Sequence, residues 1–530
     1  MPPRVTVLFG TETGNSQDCA DRLADSIRGL GLDAESIDMG VYDPAQLSDE
    51  ALVLIVTSTF GNGDPPSNAI DLHKYVGLDS TVLDGVRFGV CALGDTTYPL
   101  FAQCGRDFDE RLEARGAQRI TERVECDGGF DYDEPFDAFR AACIAYLQTD
   151  PTFSAGSGPV RAASDQRSTA PSAAARPRLE QDARLVARRR LSGSASGKDT
   201  WHVELEIEGA LAAYQPGDCV AVAPENDSSE VDALFQWLGP EADDGARTAL
   251  VRDRCLQRVS PELLGLLAPH SRRAAELADD IDARRAFAGG ARVRDLLEQA
   301  PPACVDASAL LGALRPLAPR LYSIASSPLR TPRHVHFTVD AVRYAQNGRP
   351  TLGVASTWLT DRASIGTAVP AELRPHPAFR LTDDERPLLM IGPGTGVAPF
   401  RAFLHHLEEL GSERRSWLFF GHRTEADDFL YGEELRHFHE RGTLDRLSTA
   451  WSRQGPERVY VQHRLREQAR DVWQWIDDGA VVHLCGDAQH MAVDVRAALS
   501  EIAVREGGVS DGAEWLAGMV ADGRFKEDVY

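Results

Sequence analysis

Two glycine-containing loops of different composition, one near each end of the chain, constrain this sequence most. TETGNS spans residues 11–16 and GPGTGVAPFR spans residues 392–401. Each follows a short apolar, strand-like segment and leads into a helix-like segment. The start of a helix presents free N–H groups and the positive end of a dipole, which favours a phosphate there. The sequence therefore predicts two separate nucleotide sites, and two nucleotide cofactors on one chain indicate relayed electrons.

Length and charge bound the class of protein. The 530 residues are enough for about three domains of roughly 150 residues each. The net charge of −25 argues against nucleic acid or an anionic membrane surface as a partner. Residues 1–150 contain 11 Lys and Arg against 27 Asp and Glu. This acidity fits a solubilising surface, a docking face for a basic partner, or both.

The nine cysteines are scattered and include no CxxC pair. This pattern suits a reducing compartment and predicts no disulfide framework, zinc site or iron–sulfur cluster. The start of the chain does not resemble a signal peptide, and no apolar run reaches 18 residues. We therefore expect a cytoplasmic protein without a membrane anchor or a bound metal.

Composition and periodicity divide the chain into four parts. In residues 1–150, apolar runs alternate with helix-period segments, which predicts a doubly wound parallel sheet. Residues 151–180 are rich in Ala, Ser, Pro and Gly and predict a flexible linker. Residues 181–384 contain alternating strands of a β-barrel, interrupted at about 228–312 by a helical insertion. Strand and helix alternation returns in residues 385–530.

Three loops of the first domain share features of a flavin site: TETGNS, STFGNGD at 58–64 and LGDTTYPLF at 93–101. The first offers hydroxyl and N–H groups to a phosphate, and Phe60 and Tyr98 can sandwich a planar ring. In this order the loops resemble the flavodoxin-like FMN module of diflavin reductases. The resemblance implies that FMN is bound by Thr11, Glu12, Thr13, Gly14, Asn15, Ser16, Ser58, Thr59, Phe60, Gly61, Leu93, Gly94, Asp95, Tyr98, Phe101 and Asp127.

A second flavin motif is RLYSIASS at 320–327, followed by GVAST at 353–357. An Arg beside a Tyr and a Ser supplies a counter-ion for a diphosphate, a stacking ring and a hydroxyl. The pair of motifs resembles the FAD-binding barrel of ferredoxin-NADP reductase-like proteins. The resemblance implies that FAD is bound by Arg320, Leu321, Tyr322, Ser323, Thr338, Val339, Tyr344, Gly353, Val354, Ala355, Ser356 and Tyr530.

The C-terminal glycine loop is followed by GHR at 421–423, WSRQGPERVYVQ at 451–462 and CGDAQHM at 485–491. The second of these segments gathers cations and hydroxyls, which a ribose 2′-phosphate requires, and this favours NADPH over NADH. Together the segments resemble the NADP module of the same family. The resemblance implies that NADP is bound by Gly394, Thr395, Gly396, Arg423, Ser452, Arg453, Arg458, Tyr460, Gln462, Asp487 and Asp494.

Cys485 ends an apolar strand, where a cysteine can also be an ordinary buried side chain. The resemblance instead implies a catalytic group of Ser323, Cys485 and Asp528 that steadies the nicotinamide for hydride transfer. It also implies that Tyr530 stacks on the FAD ring and moves aside for the nicotinamide.

These motifs together resemble the diflavin reductases, which implies electron transfer from NADPH through FAD and FMN to an external haemoprotein. The final Tyr resembles the sulfite reductase flavoproteins, whose partner is a haemoprotein subunit. A reductase for a cytochrome-type monooxygenase or another haem enzyme is the alternative, since STFGNGDPP also resembles the reductase half of nitric oxide synthases. A catalytically inert electron-carrier module and a single-flavin reductase are further alternatives, which flavin bleaching by NADPH and the FMN:FAD ratio would distinguish.

Overall fold

The computed structural model describes residues 3–11, 14–59, 63–95, 100–127, 132–154, 181–207, 214–280, 283, 287, 292–346, 349–488 and 490–530. The chain divides into two compact units. The first contains an N-terminal α/β sheet and a group of helices, and the second contains a β-barrel and a C-terminal α/β sheet. Among the described residues, no helix is both long and apolar enough to cross a membrane.

The N-terminal sheet is parallel, with strand order β2-β1-β3-β4-β5 and β6 paired with β4. Its central strands are buried along most of their length because helices cover both faces. The predicted doubly wound sheet is confirmed. The strands are β1 Val5–Gly10, β2 Ala34–Asp38, β3 Leu52–Ser58, β4 Arg87–Gly94, β5 Gln118–Arg119 and β6 Val124–Asp127. The helices are α1 Asn15–Arg28, α2 Ile70–Gly77, α3 Gln103–Ala114, α4 Asp133–Thr149 and α5 Pro151–Ser154, with 3₁₀ turns at Pro44–Asp49 and Ser67–Ala69.

The start of the predicted linker differs from the expectation. Helix α5 occupies its first four residues, and Phe153 is 1% exposed beneath the guanidinium of Arg87, which lies 5.0 Å from the ring centroid. This aromatic anchor attaches the segment to the sheet. The rest of the predicted linker, residues 155–180, lies outside the described residues.

The helices between 228 and 313 form around their own leucine-rich core. Several start at an Asp or Ser whose side chain accepts a hydrogen bond from the first turn, as Asp227 and Ser260 do. The predicted helical insertion is therefore present. The helices are α6 Ser228–Leu238, α7 Asp244–Arg252, α8 Pro261–Leu267, α9 Arg272–Asp279, α10 Val293–Leu297 and α11 Ala307–Ala313.

Six strands form the barrel in the order β10-β9-β14-β7-β8-β11. A bridge between Ile324 and Phe337 joins the two end strands. Alternate residues of β8, such as Val203 and Leu205, face the core. The elements are β7 Gln181–Arg190, β8 Thr200–Ile207, β9 Cys219–Val222, β10 Arg320–Ser323, β11 His334–Asp340, β12 Arg343–Gln346, β13 Arg349–Leu352, α12 Val354–Thr357, a π-helical turn at Trp358–Arg362 and β14 Ala368–Arg374.

The C-terminal sheet is parallel, in the order β17-β16-β15-β18-β19. Apolar runs form its buried central strands, as expected for a sheet covered on both faces. The strands are β15 Leu388–Ile391, β16 Ser416–His422, β17 Arg446–Trp451, β18 Val481–Gly486 and β19 Phe525–Val529. The helices are α13 Ala398–Leu410, α14 Glu425–Asp428, α15 Gly432–Arg441, α16 Val461–Glu467, α17 Ala469–Asp477, α18 Met491–Gly507 and α19 Gly512–Ala521, with a 3₁₀ turn at Gly394–Val397.

Candidate functional site

The loop after β1 lies where the strand order of the N-terminal sheet reverses, which is the usual ligand position in such sheets. Thr11 Oγ1 accepts a hydrogen bond from Gly14 N at 2.9 Å, and Gly14 has a φ of 89° that favours glycine. Ser16 Oγ, in the first turn of α1, is buried without a hydrogen-bond partner among the described residues. A buried hydroxyl is costly unless it is paired, and a phosphate oxygen would pair it. These residues therefore fit the phosphate of FMN.

Asn68 supports this loop from behind, and sequence reasoning missed it. Its Oδ1 accepts a hydrogen bond from Thr11 N at 2.9 Å, and its Nδ2 donates to Asp38 Oδ1 at 2.9 Å. Asn68 lies a few residues after the STFGNGD segment, and this proximity in sequence was the available signal.

Thr59, the residue after β3, is held beside β4 and the first turn of α3. Thr59 N donates to Leu93 O at 2.9 Å, and Thr59 Oγ1 accepts from Cys104 N at 3.2 Å. A Cβ on Gly94 would lie 2.6 Å from Ala102 N, so this position requires glycine.

The parallel register brings further predicted FMN residues to the same edge of the sheet as Thr59. Ser58 ends β3, and Asp127 ends β6 beside Gly94. Asp95 and Phe101 flank the loop that follows β4, and Asn15 opens α1. The predicted residues Glu12, Thr13, Phe60, Gly61 and Tyr98 lie outside the described residues.

Strand β10 carries the second predicted flavin motif. The Tyr322 ring stacks on Phe337 with 4.9 Å between centroids and 28° between planes. Arg320 is exposed, and Leu321 is half-buried. This strand thus offers an exposed guanidinium beside an aromatic ring, a donor set that fits a flavin diphosphate and its ring.

The predicted FAD residues on β11 and β12 do not share one surface. Thr338 Oγ1 lies 2.8 Å from Tyr431 Oη, whereas Val339 is buried in the barrel core. Successive strand residues point to opposite faces, so these two side chains do not share a surface. Tyr344 is 53% exposed.

The turn before α12 is tight. A Cβ on Gly353 would lie 2.5 Å from Ser356 Oγ and 2.8 Å from Val342 Cβ. Ser356 Oγ accepts a hydrogen bond from Val342 N at 3.1 Å. Val354 and Ala355 are buried between these ends. The turn therefore presents backbone rather than side chain, as close approach to a diphosphate requires.

The glycine loop after β15 contacts the end of β18. A Cβ on Gly396 would lie 2.1 Å from Cys485 O, so glycine is needed there. Thr395 Oγ1 lies 2.6 Å from Tyr530 Oη. This contact joins two predicted site residues, Thr395 and Tyr530, that are 135 residues apart in sequence.

A cavity of about 540 Å³ opens beside this loop. Most of the predicted NADP residues line it, namely Gly394, Arg423, Ser452, Tyr460, Gln462, Asp487 and Asp494. Arg453 and Arg458 are exposed and are not among its lining residues. The cavity fits a nucleotide in size, and its wall combines apolar surface with several polar and charged side chains.

Lys198 also lines this cavity, and sequence reasoning missed it. Its Nζ lies 2.5 Å from Asp340 Oδ2. Lys198 precedes β8, far in sequence from the other lining residues, and no motif marked it. It adds a cation to the wall of the cavity.

Ser323, Cys485 and Asp528 come together as predicted. Ser323 Oγ donates to Asp528 Oδ2 at 2.5 Å, and Cys485 Sγ donates to the same oxygen at 3.6 Å. Cys485 and Asp528 are register partners on β18 and β19, and both are buried. Burial and the nearby carboxylate raise the pKa of the Cys485 thiol well above its usual value. The thiol therefore stays protonated and donates a hydrogen bond.

Comparisons with known proteins identify three domain families along the chain. Residues 7–141 match the Flavodoxin family model, and residues 390–497 match the Oxidoreductase NAD-binding domain model. Residues 177–260 and 278–358 match the FAD binding domain model.

Full-length relatives are also found. The sulfite reductase [NADPH] flavoprotein alpha-component of Bacillus subtilis (strain 168) is 37% identical over 548 residues, covering 99% of this chain and 89% of the relative. The protein of the same name from Neisseria meningitidis serogroup C (serotype 2a) is 37% identical, covering 100% of this chain and 90% of the relative. That of Vibrio parahaemolyticus is 36% identical, covering 99% and 86%.

A flavodoxin-like sheet, an FAD-type barrel and a nicotinamide-nucleotide sheet on one chain define a diflavin oxidoreductase. Its cofactors are FMN, FAD and NADPH. The chain belongs to the family of the sulfite reductase [NADPH] flavoprotein alpha-components, because the resemblance extends over nearly its whole length.

Proposed function

We propose that this protein supplies electrons from NADPH to the haemoprotein component of a sulfite reductase. The names of its relatives support this partner. When bound, the cofactors pass a hydride from NADPH to FAD and then single electrons through FMN to the acceptor. The hydrogen-bonded group of Ser323, Cys485 and Asp528 is the observation that carries the reductase part of the proposal.

In this proposal Asp528 positions the side chains of Ser323 and Cys485 for the reaction. Its Oδ2 accepts hydrogen bonds from Ser323 and Cys485, which fixes both side chains against the end of β19. Their fixed positions would orient a bound nicotinamide ring, so that the alignment is established before the reaction. The raised pKa of the Cys485 thiol keeps a thiolate away from the site where a hydride departs.

We propose that Tyr530 covers the FAD ring and gates access of the nicotinamide. Its backbone is anchored, because Tyr530 N donates to Gly486 O at 3.1 Å and Ala488 N donates to Tyr530 O at 3.2 Å. Its side chain is 54% exposed. Rotation of the ring about its own side-chain bonds, with the backbone held, therefore suffices to open the site.

The remaining assignments follow the same motifs. Ser452, Tyr460 and Gln462 of the cavity wall, with Arg453 and Arg458 outside it, are proposed to select the 2′-phosphate of NADPH. The residues named above for FMN and FAD are proposed to bind those flavins. The division at 1–150, 151–180, 181–384 and 385–530 is proposed as the boundaries of the FMN domain, the linker, the FAD domain with its insertion, and the NADP domain, except that helix α5 at the start of the linker packs on the FMN domain.

The test is sulfite-dependent oxidation of NADPH by the flavin-loaded protein mixed with the sulfite reductase haemoprotein of its source organism. We expect turnover that requires both proteins and that Ser323→Ala slows. An artificial one-electron dye is the control acceptor. Dye reduction without sulfite turnover would refute the sulfite partner but retain the reductase, and cytochrome-type monooxygenases would then be tried. Failure to reduce either flavin would refute the reductase itself.

A further inference from the structure

Three side chains on the outer face of the barrel converge, and none of them belongs to the group of Ser323, Cys485 and Asp528. His202 and Glu204 are two residues apart on β8, so they share a face. His336 is the register partner of Glu204 on β11. His202 Nε2 lies 3.1 Å from Glu204 Oε1, and His336 Nε2 lies 3.5 Å from Glu204 Oε2. One ligand atom from each residue lies within 4.8 Å of the others.

Both imidazoles are buried, His202 at 3% exposure and His336 at 7%. Among the described residues, His336 Nε2 has no hydrogen-bond partner, although it points toward the Glu204 carboxylate. An imidazole binds a metal through a nitrogen that carries no proton, and Nε2 of each ring faces the Glu204 carboxylate.

A hydrogen bond from outside the cluster orients the His202 ring. Tyr431 Oη lies 2.9 Å from His202 Nδ1 and 2.8 Å from Thr338 Oγ1. This contact occupies Nδ1 and leaves Nε2 facing Glu204. A partner of this kind fixes the tautomer and the orientation of a metal-binding histidine.

Two arginines lie near the cluster. Arg401 binds Glu434, with Nε to Oε2 at 2.7 Å and Nη2 to Oε1 at 3.2 Å, so its charge is compensated. Its Nη1 donates to Ala325 O at 2.7 Å and makes a long 3.5 Å contact with His336 Nδ1. Arg189 is the register partner of His202 on β7. These charges weaken attraction for a cation, so the ligands themselves must supply the affinity.

We propose that His202, Glu204 and His336 form a binding site for a divalent transition metal, with zinc as the representative ion. Two imidazoles and one carboxylate are a ligand set that zinc uses, with water in the fourth position. Tetrahedral zinc with bonds of roughly 2.0–2.1 Å separates its ligand atoms by about 3.4 Å, close to the two distances here. The ion would join β8 to β11 and stabilise this side of the barrel. The expectation of no bound metal came from the cysteine pattern, which concerns thiolate ligands. The site proposed here contains no cysteine.

The test equilibrates the flavin-loaded full chain with zinc and removes unbound ion by gel filtration. Zinc per FAD is then measured by elemental analysis. We expect one zinc per chain, bound through nitrogen and oxygen by X-ray absorption, and a higher midpoint of thermal unfolding with zinc. Loss of an outer partner alone costs roughly 10- to 100-fold in metal affinity, so Glu204→Gln and His336→Gln are each expected to cost at least that.

Matched controls are available on the same strands. Glu206 has the same 28% side-chain exposure as Glu204, and His334 is on the same face of β11 as His336. We expect Glu206→Gln and His334→Gln to retain zinc. Because Glu204 is partly exposed, Glu204→Gln is expected to fold with normal FAD content. Zinc bound equally by all variants, bound through sulfur, or not retained by the unmutated protein would each overturn the proposal.

Discussion

Arg315, just after helix α11, forms an ion pair with Asp133, the first residue of α4. Asp133 is 1% exposed, and Arg22 on α1 also contacts it, with Nη1 to Oδ1 at 2.9 Å. The Arg315 guanidinium lies 4.6 Å from the centroid of the Tyr132 ring. A second pair, Arg22 Nη2 to Glu262 Oε1 at 2.8 Å, reaches α8. Within the first unit, these pairs connect the N-terminal sheet to the helical group.

Replacing Arg315 with Gln should destabilise this first unit. Asp133 would keep one cation and lose the other, and loss of a charged hydrogen bond at a buried carboxylate costs roughly 1–3 kcal/mol. The measurement is the urea unfolding transition followed by FMN fluorescence. Arg28→Gln is the control, since Arg28 pairs with Asp25 at the surface, where such pairs contribute about 0–1 kcal/mol. Equal transitions for the two variants would contradict the expected contribution.

Replacing Arg453 and Arg458 together with Ala should raise the KM for NADPH while sparing NADH. A charged hydrogen bond contributes about 1.5–3 kcal/mol, so a rise of roughly tenfold or more is expected. Steady-state kinetics with a dye acceptor measure both substrates. Arg446→Ala is the control, because Arg446 begins β17, the strand that precedes Arg453 and Arg458, and pairs with Asp471. Equal weakening of NADPH and NADH would refute the 2′-phosphate assignment and leave Lys198 as the next cation to examine.

Replacing Tyr530 with Ala should improve the use of NADH if the ring gates the nicotinamide. Displacing a stacked ring costs about 0.5–1.5 kcal/mol beyond its buried area, which corresponds to a gain of up to roughly tenfold. Tyr530→Phe retains the ring and loses the hydroxyl that contacts Thr395. We therefore expect Phe to keep the original coenzyme preference. The same gain in both variants would assign the effect to the hydroxyl.

Glu434 should make stability depend on pH in the acidic range. Burial would raise its pKa, but the hydrogen bond with His405 and the charge of Arg401 lower it to about 2. An unfolded Glu has a pKa near 4.3, so this contribution is complete above that pH and is lost as pH falls toward about 2. It amounts to about 2 kcal/mol after allowance for the partly exposed side chain.

The measurement is the difference in unfolding free energy between the natural protein and Glu434→Gln, from about pH 7 to about pH 3. This difference should shrink as pH falls. Glu409→Gln is the control, since Glu409 has a long 3.7 Å contact with Arg330 and is more exposed. A constant difference for Glu434→Gln would show that the ion pair does not perturb its titration.

Continuous apolar runs and strict alternation predicted the strands well. RFGVCALG coincides with β4, because a strand covered on both faces must be apolar throughout. The alternating segments TWHVELEIEG and HVHFTVDAV contain β8 and β11, which pair directly. The contact of Ser323 and Cys485 with Asp528 was predicted from motifs, because each residue lies at or near the end of a strand in a recognisable segment.

Contacts between distant segments could not be predicted in this way. Asn68 and Lys198 reach their sites from segments without a motif, and their roles depend on the packing of loops. The polar positions of β8 and β11 look like ordinary outward-facing residues. They form a cluster only because the strand register places Glu204 opposite His336. Register is a property of the folded sheet.

The pairing of β9 with β10 has a consequence for the order of folding. These neighbouring antiparallel strands are separated by roughly 100 residues of chain, which contain the helical group. Closing so long an unstructured loop costs about 3 kcal/mol more in chain entropy than closing a short hairpin. Helices that first collapse on their own leucine-rich core shorten the effective loop. During synthesis, β9 must therefore wait for the whole insertion to emerge before it can pair with β10.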